Sequence, residues 1–273
     1  MICLMYHNVF EDPHYYGRLS PSITSYFVSK NVFEAQIRLV GENGGCLSKA
    51  ALDGFYRGAG ATDQEDRHDG LPVLLTFDDG WRDSVEVAGP VLAKYKSKAM
   101  LFVTTDFIGR SHFLTRSELR ALSTSLFTIG SHARTHRMLS QLSEREIVAE
   151  LDYSRRYLED AVGRPIDALS IPNGAVDERV RRIASEVGYR FVFTSDVYIN
   201  TAAIGPLHIG RVAIKQGASM RAFQGYLHGH LAWERLRRYL LTVPKSMLGV
   251  AHYAALRRRL LGEAAGQQVM QEI

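Results

Sequence analysis

The sequence predicts an α/β protein built on a parallel sheet covered by helices, and three observations carry that reading. Seven short runs rich in β-branched and aromatic residues recur between Ile2 and Ile214. The segments between them place apolar residues at helical spacing, as Ile147, Leu151, Leu158 and Val162 do. Strand and helix then alternate for about two hundred residues, the pattern of parallel strands joined by helical crossovers. Periodicity does not separate an open doubly wound sheet from a closed barrel. In either one, ligand chemistry gathers at the carboxyl ends of the strands.

In order, the strands are predicted at Ile2–Tyr6, Val73–Phe77, Ala99–Val103, Phe127–Gly130, Ala168–Ile171, Phe191–Thr194 and Ile209–Ile214. Helices are predicted over 32–43, 83–96, 143–162 and 177–187. Ser143, with Glu146 three residues on, reads as a capping box opening the third. The segment from Tyr56 to Gly70, poor in apolar residues, reads as an exposed loop.

At 273 residues and 46% hydrophobic composition the chain can bury a large core, read as one domain over 1–227 with a basic helical extension over 228–273. Cys3 and Cys46 are too few for a disulfide framework and lack the spacing of a structural zinc site. No basic leader followed by an apolar stretch opens the sequence, which predicts a cytoplasmic protein, although a mature exported form would look the same. The net charge is +4, and residues 228–273, with seven Lys/Arg against three Asp/Glu, account for all of it. The rest is neutral, so a nucleic-acid partner is not expected.

Polar residues fall where the strands end. His7 follows the first strand, Asp78 and Asp79 the second, His132 and His136 the fourth, and Pro172-Asn173-Gly174 the fifth. A composite catalytic site needs this convergence on one rim. Two adjacent carboxylates at Asp78-Asp79, before Gly80, call for a cation or else form an Asp-Gly turn that caps the next helix. His132 and His136, four apart, suit one metal ion or are two surface histidines; Asp79 on the same rim favours the metal.

These motifs resemble the polysaccharide deacetylases, the NodB-homology carbohydrate esterases. Thr76-Phe77-Asp78-Asp79-Gly80 matches the family's first motif, and Gly130-Ser131-His132 with His136 and Leu139 matches its second. The resemblance covers roughly residues 1–215 and implies a distorted seven-stranded (β/α) barrel, here with a C-terminal helical extension. It implies one divalent metal ion, zinc first with iron, cobalt, nickel or manganese open, held by Asp79, His132 and His136. Asp78 would then be the general base, and the Asn173 backbone N–H, beside Pro172, would face the oxyanion.

The general acid falls to His7 or His208. Leu4-Met5-Tyr6-His7 resembles a permuted branch of the family that begins with a Tyr-His strand, as does Phe33-Glu34 with Gln36. His7 also ends a strand beside Asp78, whereas His208 begins one and is expected at the opposite end. The acid is therefore assigned to His7.

The chain departs from the family pattern at three places. The third motif's arginine is missing, Ser170 standing in its place, and Arg211 is expected to supply that charge. Ala133 stands where Ser or Thr is usual, predicting a less firmly braced loop. The fourth motif lacks its tryptophan, and Tyr198 is expected to wall the acyl pocket.

Leu236, Tyr239, Leu240 and Val243 share a helical face opposite Arg235, Arg237 and Arg238, with a second basic cluster at Arg257–Arg259. This predicts either packing on the barrel or a partner, or peripheral membrane contact through 228–262. The function expected is removal of N-acetyl groups from an amino-sugar glycan. Deformylation, hydrolysis of another amide, or carbohydrate binding without turnover are the alternatives.

Overall fold

The computed structural model describes residues 1–12, 16–17, 19–58, 70–122, 124–174 and 176–238. The chain opens with β1 (Ile2–Tyr6), β2 (Asn8–Phe10), α1 (Pro21–Thr24), β3 (Phe27–Ser29), α2 (Lys30–Glu42) and α3 (Lys49–Arg57). It continues through β4 (Val73–Phe77), α4 (Asp83–Glu86), α5 (Ala88–Lys94), β5 (Ala99–Val103), α6 (Arg116–Ala121) and β6 (Phe127–Ser131). The last part holds α7 (Glu144–Val162), β7 (Ala168–Ser170), α8 (Glu178–Val187), β8 (Phe191–Phe193), β9 (Val212–Ala213) and α9 (Met220–Leu227).

Seven strands form one all-parallel sheet in the order β8-β7-β6-β5-β4-β1-β9. The predicted strand Ile209–Ile214 is split. Ile209 bridges to Phe193 of β8, while Val212 pairs with Leu4 of β1, so one segment joins both edges and curls the sheet into a distorted barrel. Gly210 lies at the crossing, where an added Cβ would stand 2.6 Å from the Asp196 carbonyl and 2.7 Å from the Tyr198 ring. The predicted helix 83–96 is likewise two, α4 and α5. Pro90 has no N–H to give the Glu86 carbonyl, which breaks the ladder there.

Side chains alternate across each strand, and two apolar clusters follow. Leu4, Tyr6, Leu75, Phe77, Leu101 and Ile129 face outward to α2, α5 and α7. Cys3, Leu74, Met100, Phe102, Ala168, Phe193 and Ile209 fill the lumen. The amino end of the barrel is closed by α3, whose buried Leu52 joins the lumen cluster with Phe55 and Tyr56 beside it.

Within the extension, Leu231 is buried and a helix runs from 232 to 238. Arg238 reaches the Asp196 carboxylate at 2.6 Å, so this helix packs on the barrel. Trp233 and Leu236 are exposed. Tyr239, Leu240, Val243 and Arg257–Arg259 lie outside the described residues, as does most of the predicted 56–70 loop. Among the described residues, no helix is long and apolar enough to cross a membrane.

Candidate active site

The parity that fills the lumen also supplies its polar lid. Residues 74, 76 and 78 point inward from β4 and its end, and 130 and 132 do so from β6. Asp78 and His132 thus sit above an apolar floor, each about 2% exposed. Gly130 is required there. A Cβ on it would stand 2.5 Å from the Phe102 ring.

Asp79 turns the other way through a positive φ of 75°, and Gly80 follows at 89°. Its Oδ2 accepts from the buried Trp81 indole at 3.0 Å. Its Oδ1 lies 3.4 Å from both His132 Nε2 and His136 Nε2 and, although buried, has no hydrogen-bond partner among the described residues. The three ligand atoms lie within 4.8 Å of one another. One carboxylate and two imidazoles converging on a point, with an unsatisfied buried oxygen, fit a single divalent ion. Burial opposes charge on Asp79, yet the nearby imidazole of His136, with those of His7 and His132 behind it, holds its carboxyl far below the usual range. Burial lowers the His132 pKa to about 4, keeping the ring neutral, as a ligand must be. Its Nδ1 meets the Ser170 carbonyl at 2.8 Å, and the bond that a neutral Nδ1–H donates there leaves Nε2 free to ligate.

Asp78 is held by Arg211. The guanidinium, fully buried in the lumen, donates Nη1 to Oδ1 at 2.8 Å and Nη2 to Oδ2 at 2.9 Å. Its other bonds go to Thr76 Oγ1, Ser170 Oγ and the Thr194 carbonyl. Ser170 Oγ donates in turn to Asp78 Oδ2 at 3.0 Å. The serine at the missing arginine's position thus bridges the acid to an arginine from the last strand. Burial alone would raise the Asp78 pKa, but Arg211, then His132 and the Arg211 hydrogen bond, leave it below the ordinary value.

His7 follows β1 directly beside Asp78, whose N–H bonds the Tyr6 carbonyl at 3.0 Å. Burial lowers its pKa, the two aspartates opposing. Its ring packs on Tyr26 at 4.6 Å, and its Nδ1 is buried without a partner among the described residues. His208 is engaged elsewhere, with Nε2 2.7 Å from Asp196 Oδ2 and Nδ1 3.3 Å from Arg181. Pro172 is buried and Asn173 carries a positive φ of 58° in the turn after β7, on the same rim.

Tyr198 corrects the sequence reading. Its hydroxyl donates to the His208 carbonyl and its ring stands edge-on to the His208 ring, so its described contacts are with that cluster and not with the metal-binding residues. The loop at Ala133 is also better braced than expected. Ser131 Oγ accepts from the Ala133 N–H at 3.1 Å, and buried Glu150 accepts from the N–H groups of Arg134 and Thr135 and from the Thr135 hydroxyl. Glu150 was detectable, being an acid on the apolar stripe of a helix beside Leu151.

The family model for polysaccharide deacetylase matches residues 65–192, a span that holds Asp78, Asp79, His132 and His136. Over that span the chain is similar to the polysaccharide deacetylases. It is 30% identical over 155 residues to YxkH of Bacillus subtilis, a protein named as a polysaccharide deacetylase; the match spans 57% of this chain and 56% of that one. It is 24% identical over 220 residues, 75% of this chain and 73% of the other, to the poly-β-1,6-N-acetyl-D-glucosamine N-deacetylase of Staphylococcus aureus. The solved structure of the Streptococcus pyogenes deacetylase PplD, in complex with acetate, superposes with a TM-score of 0.70 at 25% identity, over 83% of this chain and 97% of that one.

Proposed function

We propose that this chain is a metal-dependent hydrolase that removes N-acetyl groups from amino-sugar residues of a glycan. The observation that carries the proposal is the division of the acidic pair. Asp79 offers two imidazoles a buried oxygen that has no hydrogen-bond partner among the described residues, while Asp78 beside it is fixed by a buried arginine. A divalent cation held by Asp79, His132 and His136, with zinc the first choice, supplies Lewis acidity toward water and an amide carbonyl.

The protein's own groups move the protons. Asp78, kept ionised and oriented by Arg211 and Ser170, takes a proton from water as the water oxygen bonds to the carbonyl carbon. The Asn173 N–H is assigned to the oxyanion that develops. His7 gives a proton to the nitrogen as the C–N bond breaks, leaving acetate and a free amine. Burial makes His7 a readier donor once charged, since its charged form is the disfavoured one.

The test is acetate release from N-acetylglucosamine oligomers, β-1,6- and β-1,4-linked, by wild type and by Asp78→Asn. Chelator-sensitive release, lost in the variant, is expected. Release that persists in Asp78→Asn, or formate release from formamides in place of acetate, would contradict the reading. A peripheral membrane contact through 228–262 is proposed beside it, supported by exposed Trp233 and Leu236 on a basic helix. Equal liposome flotation of the full chain and a 1–227 truncation would contradict that part.

A further inference from the structure

Cations on the carboxyl side of the sheet differ in what they meet. Lys30, Arg82, Arg134 and Arg137 each meet a carboxylate, those of Glu11, Glu118, Asp106 and Glu146, at 2.8 to 3.4 Å. Lys215 and Arg110 have no ion-pair partner among the described residues. Each lies instead on an aromatic ring that packs on a histidine of the site.

On one flank, Lys215 Nζ is 4.4 Å from the centre of the Tyr26 ring, which is 4.6 Å from the His7 ring. On the other, the Arg110 guanidinium is 5.3 Å from the Phe107 ring, which is 5.9 Å from the His136 ring. Both cations sit on anchored backbone. Ile214 N–H bonds the Met5 carbonyl at 2.8 Å and Gln216 N–H the Ser25 carbonyl at 3.0 Å, fixing Lys215 between β1 and the Tyr26 segment. Arg110 N–H bonds the Phe107 carbonyl at 3.0 Å and its own carbonyl accepts from Phe113 at 3.1 Å. In the sheet order, β5, which leads toward Arg110, and β9, which leads to Lys215, lie on opposite sides of β4, the strand that carries Asp78 and Asp79.

We infer that Lys215 and Arg110 are specificity-determining residues that receive an anionic group, a phosphate ester or a carboxylate, on a sugar next to the N-acetylated one. The inference rests on the hydrolase reading and names its substrate more narrowly. A ring beneath each cation positions it and thins its water shell, while the absence of a carboxylate partner leaves the charge for a ligand. A neutral glycan has no use for two such charges. By contrast Lys30, Arg82, Arg134 and Arg137 nearby are each neutralised by a carboxylate.

The experiment measures kcat/KM for acetate release from three defined oligosaccharides of N-acetylglucosamine. One is neutral, one carries a phosphate on the neighbouring sugar, and one has a uronate there, which separates the two sources of charge. Wild type should favour at least one anionic substrate by roughly three- to tenfold at low salt, and added salt should shrink the advantage. Lys215→Met and Arg110→Met keep an apolar stem over each ring, so the anionic-to-neutral ratio should fall toward one, and Lys215→Arg should restore it. Equal handling of all three substrates by wild type, or Met variants that change all three alike, would overturn the inference. If no substrate releases acetate, the hydrolase reading fails, and calorimetric binding decides the present one. Tighter binding of an anionic oligosaccharide upholds it, and equal affinities overturn it.

Discussion

The two ends of the barrel use the same ion-pair chemistry in opposite surroundings. At the amino end, Lys49 and Arg190 share Asp53 and Asp167 in a four-charge net, with Lys49 3.1 Å and Arg190 3.1 Å from Asp167. These side chains are 18% to 49% exposed, so water screens every pair. At the carboxyl end, Arg211 and Asp78 are 0% and 2% exposed. Backbone geometry divides in the same way. Asp79, His112, Ala133, His136 and Asn173 carry positive φ on the carboxyl side, against Lys96 alone on the other among the described non-glycine residues. The lesson is that charge and strain are tolerated where they position reacting groups, and that exposure decides what an ion pair is worth.

Substitutions sharpen this contrast in order of size. Arg211→Met leaves a buried, uncompensated carboxylate and should cost about 3–5 kcal/mol in denaturant unfolding, with activity lost. Ser170→Ala removes a donor to Asp78 and an acceptor for Arg211, and about 1–3 kcal/mol is expected. Glu150→Ala should release the loop that presents His132 and His136, lowering metal affinity by roughly tenfold in a competition titration. Lys49→Met, at the screened end, should cost about 1 kcal/mol or less and leave kcat unchanged. A Lys49 effect as large as that of Arg211 would break the comparison.

The buried pair also predicts acid behaviour. The folded pKa of Asp78 lies below its unfolded value of about 3.9. Its contribution is therefore present above that unfolded value and lost as pH falls through the folded one. The stability difference between wild type and Asp78→Asn should be flat above about pH 5 and shrink below about pH 4. A difference that grows on acidification would contradict the assignment.

Much of this was legible because strand ends are written locally. The β-branched run before Asp78-Asp79 and the Gly130-Ser131 step before His132 place those groups on one rim without tertiary information. Arg211 was reachable as a compensation, from the missing arginine at Ser170. Tyr198 was not, because a loop's direction depends on what it meets, and here the His208 carbonyl takes its hydroxyl. The split at Gly210 was hidden for a similar reason. Only the curl of the whole sheet makes one short strand serve both edges.

The most direct test of the central claim compares metal content and acetate release in Asp78→Asn and Asp79→Asn. The account predicts full metal occupancy with abolished activity in the first, and lost or weakened metal together with lost activity in the second. Equal metal loss in both, or activity surviving in Asp78→Asn, would contradict the division of the pair into a base and a ligand.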